Sequence, residues 1–236
     1  MNSVLIVGLA LGMRHGTDPD HLAAIDGLTR VRPRPTNGVL FALGHGLVVL
    51  LLAVGIGHVL AQRFAFVGPW VIIVIGVVNL CRLSQKARSS PIVRPVVAQP
   101  FLLGMLLAAG FETASQLSAL IVAGQTNAWL LGLTFATGMV LVDGLDGYFA
   151  ASTQKLAATG DCRSQAASRS LGIIGVIFSF GLGGAELLGV ELDRFALPLG
   201  LCPFVSVIAI RVWARSKGLT LRTPATINEM TSVNET

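Results

Sequence analysis

The chain has 236 residues, of which 53% are hydrophobic and 12% are charged, and its mean hydropathy is +0.74. About one-quarter of the residues in a soluble domain are charged, so this composition argues against an ordinary soluble fold. The formal net charge of +5 does not predict nucleic-acid binding, because the basic residues lie in short connections between apolar runs. Positive charge in such places sets membrane topology, and we expect the lipid bilayer as the partner.

Apolar runs that meet or approach the ~20 residues needed to cross a bilayer recur along the chain. Only helices and closed barrels satisfy all backbone polar groups in lipid, and the runs lack the strict alternation of barrel strands. The sequence therefore predicts an all-α polytopic membrane protein with about seven transmembrane helices. The predicted spans are residues 3–28, 37–61, 65–82, 99–123, 128–153, 170–190 and 195–213.

The distribution of Lys and Arg predicts the orientation of these spans. Fourteen basic residues fall after spans one, three and five and at the C-terminal end, whereas only Arg63 and Arg194 fall on the opposite side. The positive-inside rule then puts the N-terminus outside and the C-terminus in the cytoplasm. We expect residues 1–213 to form one domain in a bacterial cytoplasmic membrane, and residues 214–236 to form a cytoplasmic tail.

Ionisable residues inside the predicted spans are the candidates for function. Each costs ~2.5–3.5 kcal/mol on insertion scales, so such residues are rarely incidental. At 1.5 Å per residue, eight of them share one slab, from the midplane to ~9 Å toward the cytoplasm. Imidazole and carboxylate together suit divalent ions such as nickel, cobalt and zinc. The candidate metal ligands are His15, Asp18, Asp20, His21, His45, Glu112, Asp143 and Asp146.

The polar block of the first span contains a proline. On an ideal helix His15, Asp18 and His21 share one face, while Asp20 points away. Pro19 cannot donate a hydrogen bond to the carbonyl group of the residue four positions earlier. We therefore predict a kink at this position, which could turn Asp20 inward.

Two further features of the first span are given a structural interpretation. Asp26 lies four residues before Arg30, which favours a local salt bridge over a role in metal binding. Glycines spaced four apart let a neighbouring helix approach closely. These glycines are Gly8, Gly12 and Gly16.

The segment from Arg14 to Asp26, with its His15-x4-Asp20-His21 core, resembles the RHxxDxDHxxAID signature of the nickel/cobalt transporter family. Residues 41–46 resemble the FxxGHS element of that family, residues 110–116 resemble GFDTATE, and residues 138–147 resemble GMxxxDTxDG. The resemblance extends roughly from residue 12 to residue 150. Members of the family usually have eight spans with the signature in the second, whereas here it lies in the first.

The resemblance implies a secondary permease that imports Ni²⁺ or Co²⁺, with the ion as transported substrate and no resident cofactor. No enzyme activity is expected, no GxxxxGK[ST] phosphate loop occurs, and a homo-oligomer is left open. Three alternatives remain: a nickel-binding accessory protein for urease or hydrogenase maturation, a metal exporter, and a membrane metalloenzyme. The last is disfavoured, since desaturase-type enzymes need many histidines at the cytoplasmic face and this chain has four.

Overall fold

The computed structural model describes residues 2–54, 66–84, 99–108, 127–190 and 196–215. Throughout these ranges the regular structure is helical, without a strand, which confirms the all-α prediction for them. The helices are α1 (Asn2–His15), α2 (Pro19–Val31), α3 (Asn37–Ala53), α4 (Val67–Ser84), α5 (Pro100–Ala108), α6 (Ala128–Ala158), α7 (Cys162–Leu187) and α8 (Ala196–Arg215).

The first predicted span is interrupted rather than kinked. Helix α1 ends at His15, and α2 begins at Pro19 with Asp18 as its extended N-cap residue, at φ −64° and ψ 145°. A residue before proline is pushed out of the helical region, and proline fits the first position of a new helix. The amide of Asp18 donates to the carbonyl oxygen of His15 at 2.9 Å and closes the intervening turn.

The two longest helices meet the length and hydropathy expected of a membrane span. They are α6, with 31 residues, and α7, with 26 residues. Apolar stretches of 10–17 residues lie at Leu5–His15, Asn37–Leu52, Val67–Leu83 and Pro198–Ala214. Helix α8 continues to Arg215, two residues beyond the predicted end of the last span. The count of seven spans stays a prediction.

Close contacts at glycines show that α1 and α6 run in the same direction. A Cβ atom at Gly8 would meet Thr134, and one at Gly16 would meet Val142, so the contact advances along both helices together. Between them, a Cβ atom at Gly12 would collide with the backbone carbonyl of Phe135. The predicted ridge of small residues on the first span is therefore used for close helix packing.

Helix α3 runs against α6. Its Gly38 lies against the backbone of Asp143, whereas Gly46, two turns later, lies against Ala136, earlier on α6. The two helices are therefore antiparallel.

The remaining contacts continue this alternation. Helix α7 is antiparallel to α4, because Gly172 would meet Leu83 and Gly183 would meet Ile73. Helix α8 is parallel to α2, since Gly200 lies beside Asp18 and Arg211 reaches Asp26 eight residues later on α2. These contacts make α1 parallel to α6 and α2 parallel to α8, whereas α3 runs against α6 and α7 runs against α4.

The distribution of apolar and charged side chains is the reverse of that in a soluble protein. The outer faces of α6 and α7 expose large apolar side chains, such as Leu141 at 56% and Ile177 at 63% exposure. Charged side chains such as Asp143 and Arg211 lie at 0–1% exposure between the helices. Soluble proteins rarely expose apolar faces of this extent, whereas lipid accepts them.

Candidate metal centre

Three buried histidines converge where the broken first span meets α3. His15 ends α1, His21 lies in the first turn of α2, and His45 is on α3. The ring centroid of His21 lies 4.6 Å from the centroid of His15 and 4.6 Å from that of His45, and the centroids of His15 and His45 are 5.0 Å apart. One nitrogen of each ring lies within 4.8 Å of the others. Metal–imidazole bonds are ~2.1 Å long, so small ring rotations would let one ion reach all three.

Two of these rings are held by carboxylates. The Nδ1 atom of His15 lies 2.8 Å from Oδ2 of Asp18, and Nδ1 of His21 lies 3.0 Å from Oδ2 of Asp143. An ionised carboxylate only accepts, so each Nδ1–H donates, and Nε2 of His21 offers a lone pair when this ring is neutral. Carboxylate partners orient histidines in this way at metal sites.

Several buried polar atoms of the cluster have no hydrogen-bond partner among the described residues. They are Nε2 of His21, Nδ1 of His45, Oδ2 of Asp20 and Oδ1 of Asp143. A buried polar group without a partner costs free energy, and a bound cation would satisfy lone pairs of this kind. The Nε2 atoms of His15 and His45 lie 3.1 Å apart, a contact that an ion between them would replace.

The eight predicted ligands fall into distinct positions. The structure brings His15, His21 and His45 together and uses Asp18 and Asp143 as their hydrogen-bond partners. The interruption of the span leaves Asp20 buried at 5% exposure in the first turn of α2. Asp146 instead bonds to Arg211. Glu112 lies outside the described residues.

Two phenylalanines line the histidine cluster and were not predicted. The ring of Phe41 lies 5.0 Å from that of His21, and the ring of Phe135 lies 5.6 Å from that of His15. Phe41 precedes His45 by one helical turn, a spacing that could have placed it on the same face. Phe135 carried no such signal, because its position depends on the crossing of α1 and α6. Both rings keep the cluster apolar on their sides.

A second charged cluster joins α2, α6, α7 and α8. The predicted salt bridge is confirmed: Nε of Arg30 donates to Oδ2 of Asp26 at 2.6 Å. Arg30 also bonds to the hydroxyl and carbonyl oxygens of Ser168. Arg211, one of the fourteen basic residues predicted to lie on the cytoplasmic side, is buried at 1% exposure and bonds to Asp146. Its partner lies on a helix 65 residues away in sequence, so charge counting could not find the pair.

Helices with apolar outer faces around buried imidazole and carboxylate groups define a membrane protein with a candidate metal-ion site. Residues 2–69 and 93–215 match a family described as high-affinity nickel-transport protein. The chain belongs to this high-affinity nickel-transport protein family.

Individual relatives have low sequence identity to this chain, but the matches cover most of its length. A high-affinity nickel transport protein of Cupriavidus necator is 27% identical, over 81% of this chain and 71% of the relative. A Bradyrhizobium diazoefficiens protein called hydrogenase nickel incorporation protein is 27% identical, over 86% of this chain and 68% of its own length. The nickel transporter NixA of Staphylococcus aureus is 28% identical, over 86% of this chain and 77% of the relative. No solved structure matches the chain.

Proposed function

We propose that this chain is a secondary permease that carries Ni²⁺ into the cytoplasm through the three-histidine site. The observation that supports this most is the convergence of His15, His21 and His45 inside helices whose outer faces are apolar. Neutral imidazole is a ligand of choice for Ni²⁺ and Co²⁺, and the carboxylates around the rings offset the charge of a divalent ion. The names of the relatives support nickel as the transported ion.

The membrane arrangement that we propose has seven spans with the N-terminus outside. The alternating directions of the described helices support it, and so does the excess of Lys and Arg on one side. In this arrangement α1 and α2 together form one interrupted span. The break lies at the site, a device that transporters use to expose backbone and side-chain ligands at mid-membrane depth.

The membrane potential supplies a driving force for import without ATP. One elementary charge gains ~2.3 kcal/mol per 100 mV, so a divalent cation gains ~4.6 kcal/mol. This corresponds to roughly three decades of concentration ratio at equilibrium, since ~1.4 kcal/mol is a factor of ten.

Radioactive nickel uptake in cells that lack their own importers tests the proposal. We expect uptake above that of the empty vector, strong inhibition by Co²⁺, and little inhibition by Mg²⁺, which prefers oxygen ligands. Collapse of the membrane potential should abolish uptake. Efflux from preloaded cells without uptake would instead show an exporter.

The name of the Bradyrhizobium relative favours a second candidate, a nickel-binding protein that serves hydrogenase maturation without carrying the ion. The two candidates differ in their need for the maturing enzyme. Uptake in a host without hydrogenase and urease supports the permease. Nickel binding by the purified protein without uptake in that host supports the accessory protein.

A further inference from the structure

The charged cluster around Arg211 lies beside the histidine site along both helices that supply it. Asp146 follows Asp143 by three residues on α6, a rise of ~4.5 Å, and Asp26 follows His21 by five residues on α2, a rise of ~7.5 Å. Both displacements point to the cytoplasmic side in the proposed orientation. An ion that leaves the histidines inward therefore meets this cluster next.

The hydrogen bonding of the cluster is only half complete. Arg211 bonds to Oδ1 of Asp146, whereas its Nη2 atom lies 3.9 Å from Oδ1 of Asp26, too far for a hydrogen bond. Within the described parts of the chain, Oδ2 of Asp146, Oδ1 of Asp26 and Nε of Arg211 are buried without a hydrogen-bond partner. A purely structural buried ion pair is stable only when its remaining donors and acceptors are satisfied.

The unpaired atoms of the cluster allow a second arrangement, in which Arg211 bonds to Asp26 instead of Asp146. Arg30 occupies Oδ2 of Asp26 and leaves Oδ1 unpaired and facing Arg211. A small cavity between α2, α7 and α8 is lined by both Asp26 and Arg211, so the guanidinium group and this carboxylate border the same unfilled space. Pro203 also lines it and removes one backbone hydrogen bond inside α8, which makes this helix easier to bend.

We propose that Arg211 is the moving cation of a cytoplasmic gate. In the described state Arg211 neutralises Asp146 and closes the path inward. When the divalent ion leaves the histidines, Arg211 transfers from Asp146 to Asp26. The freed carboxylate of Asp146, together with Oδ1 of Asp143, then receives the ion. The inference rests on the proposed function and adds Asp146 as an exit ligand and Arg211 as its competitor.

The test compares binding with transport for purified protein. Equilibrium binding of radioactive Ni²⁺ is measured in detergent, and the initial rate of uptake is measured in proteoliposomes with an inside-negative potential. The variants are Arg211→Lys, Arg211→Gln, Asp146→Asn and the double variant Asp146→Asn/Arg211→Gln. Arg169→Gln on α7 is the matched control, because Arg169 is an exposed arginine outside both clusters.

Arg211→Lys is the decisive single variant, since it keeps the charge that folding requires. Lysine presents one ammonium group in place of the planar fork that can approach two carboxylates together. We expect nickel affinity within about twofold of the parent and an uptake rate at least roughly tenfold lower, in the usual range of coupling between sites. Arg169→Gln should match the parent in both measurements. An Arg211→Lys protein that transports at the parental rate overturns the gate.

The double variant separates a gate from simple charge neutralisation. Each single neutral variant leaves a buried charge unpaired and should transport slowly. The double variant removes both charges but also the exit carboxylate, so we expect it to bind nickel and stay slow. Recovery of the parental rate would show that the pair serves folding alone and would overturn the inference. A parent that neither binds nor transports nickel refutes the proposed function itself and leaves no gate to assign.

Discussion

Each of two histidines at the centre is paired with a carboxylate that fixes which ring nitrogen faces the cluster. Asp143 on α6 donates no hydrogen bond and so selects the Nδ1–H form of His21 on α2. Asp18 does the same for His15 across the break in the first span. While the ion is at the histidines, the Oδ2 atoms of these aspartates would set the basicity and the direction of the ligand nitrogens.

Asp143→Asn should therefore weaken nickel binding while the protein remains folded. The amide has the shape of the carboxylate but lacks its charge, and loss of such a partner costs roughly 10–100-fold in metal affinity. The dissociation constant of the purified protein is the measurement. Thr137→Ala on the exposed face of α6 is the control, because its hydroxyl donates to the carbonyl oxygen of Leu133 on the same helix and lies outside the cluster. An unchanged dissociation constant for Asp143→Asn would remove the orienting role.

At the scale of single residues, the sequence singled out the three histidines together with Asp18 and Asp143, but it predicted these aspartates as metal ligands and not as hydrogen-bond partners of the rings. The spacing of His15 and His21 predicted one helical face, whereas the structure brings the two rings together across the break between α1 and α2. The depth of His45 predicted that it lies at the same level. The ion pair of Asp26 with Arg30 is local and was therefore predictable. The contact between Asp146 and Arg211 depends on the packing of α8 against α6, which no local pattern encodes.

At the scale of helices, glycines make the crossings that bring the ligands together. A Cβ atom at Gly138 would collide with the carbonyl oxygen of Leu9, and one at Gly104 would collide with that of Phe41. Gly104 and Gly138 are each followed by methionine, as is Gly12, and the recurrence marks three crossing points. Pro19 predicted a bend in the first span. The full interruption follows from the extended backbone of Asp18, which the following proline favours locally, so the break goes one step beyond the predicted kink.

Gly138→Ala should separate α1 from α6. The three atoms nearest to the added methyl group belong to the backbone of α1, so the helices themselves must move, and overpacking of this kind costs roughly 1–3 kcal/mol. We expect a lower melting temperature in detergent and weaker nickel binding. Gly181→Ala is the control, since a Cβ atom at Gly181 meets no described atom within 4 Å. Equal melting temperatures for the two variants would mean that the crossing tolerates a methyl group.

For the whole molecule, the alternating helix directions predict on which side of the membrane each helix end lies. Helix α7 is described from end to end, and its two ends should lie on opposite sides of the membrane. The basic residues near its start predict that this end faces the cytoplasm.

Cysteine labelling at both ends of α7 tests this orientation. The exposed native cysteines Cys81, Cys162 and Cys202 are first replaced by serine. Leu188→Cys, at a position 82% exposed, should react with an impermeant maleimide in intact cells. Thr159→Cys, in the turn before α7, should react only after the membrane is permeabilised. The reverse pattern would invert the topology, and labelling of both in intact cells would place α7 outside the membrane.

The most direct test of the central claim is X-ray absorption spectroscopy at the nickel edge on the purified, nickel-loaded protein. The account predicts a first shell dominated by imidazole nitrogen near ~2.1 Å, with the outer-shell scattering of histidine rings. His21→Ala should remove one ring from that signal and weaken binding sharply, because the other buried groups stay desolvated without the ion. A shell of oxygen atoms alone, or a spectrum unchanged by His21→Ala, would contradict the account.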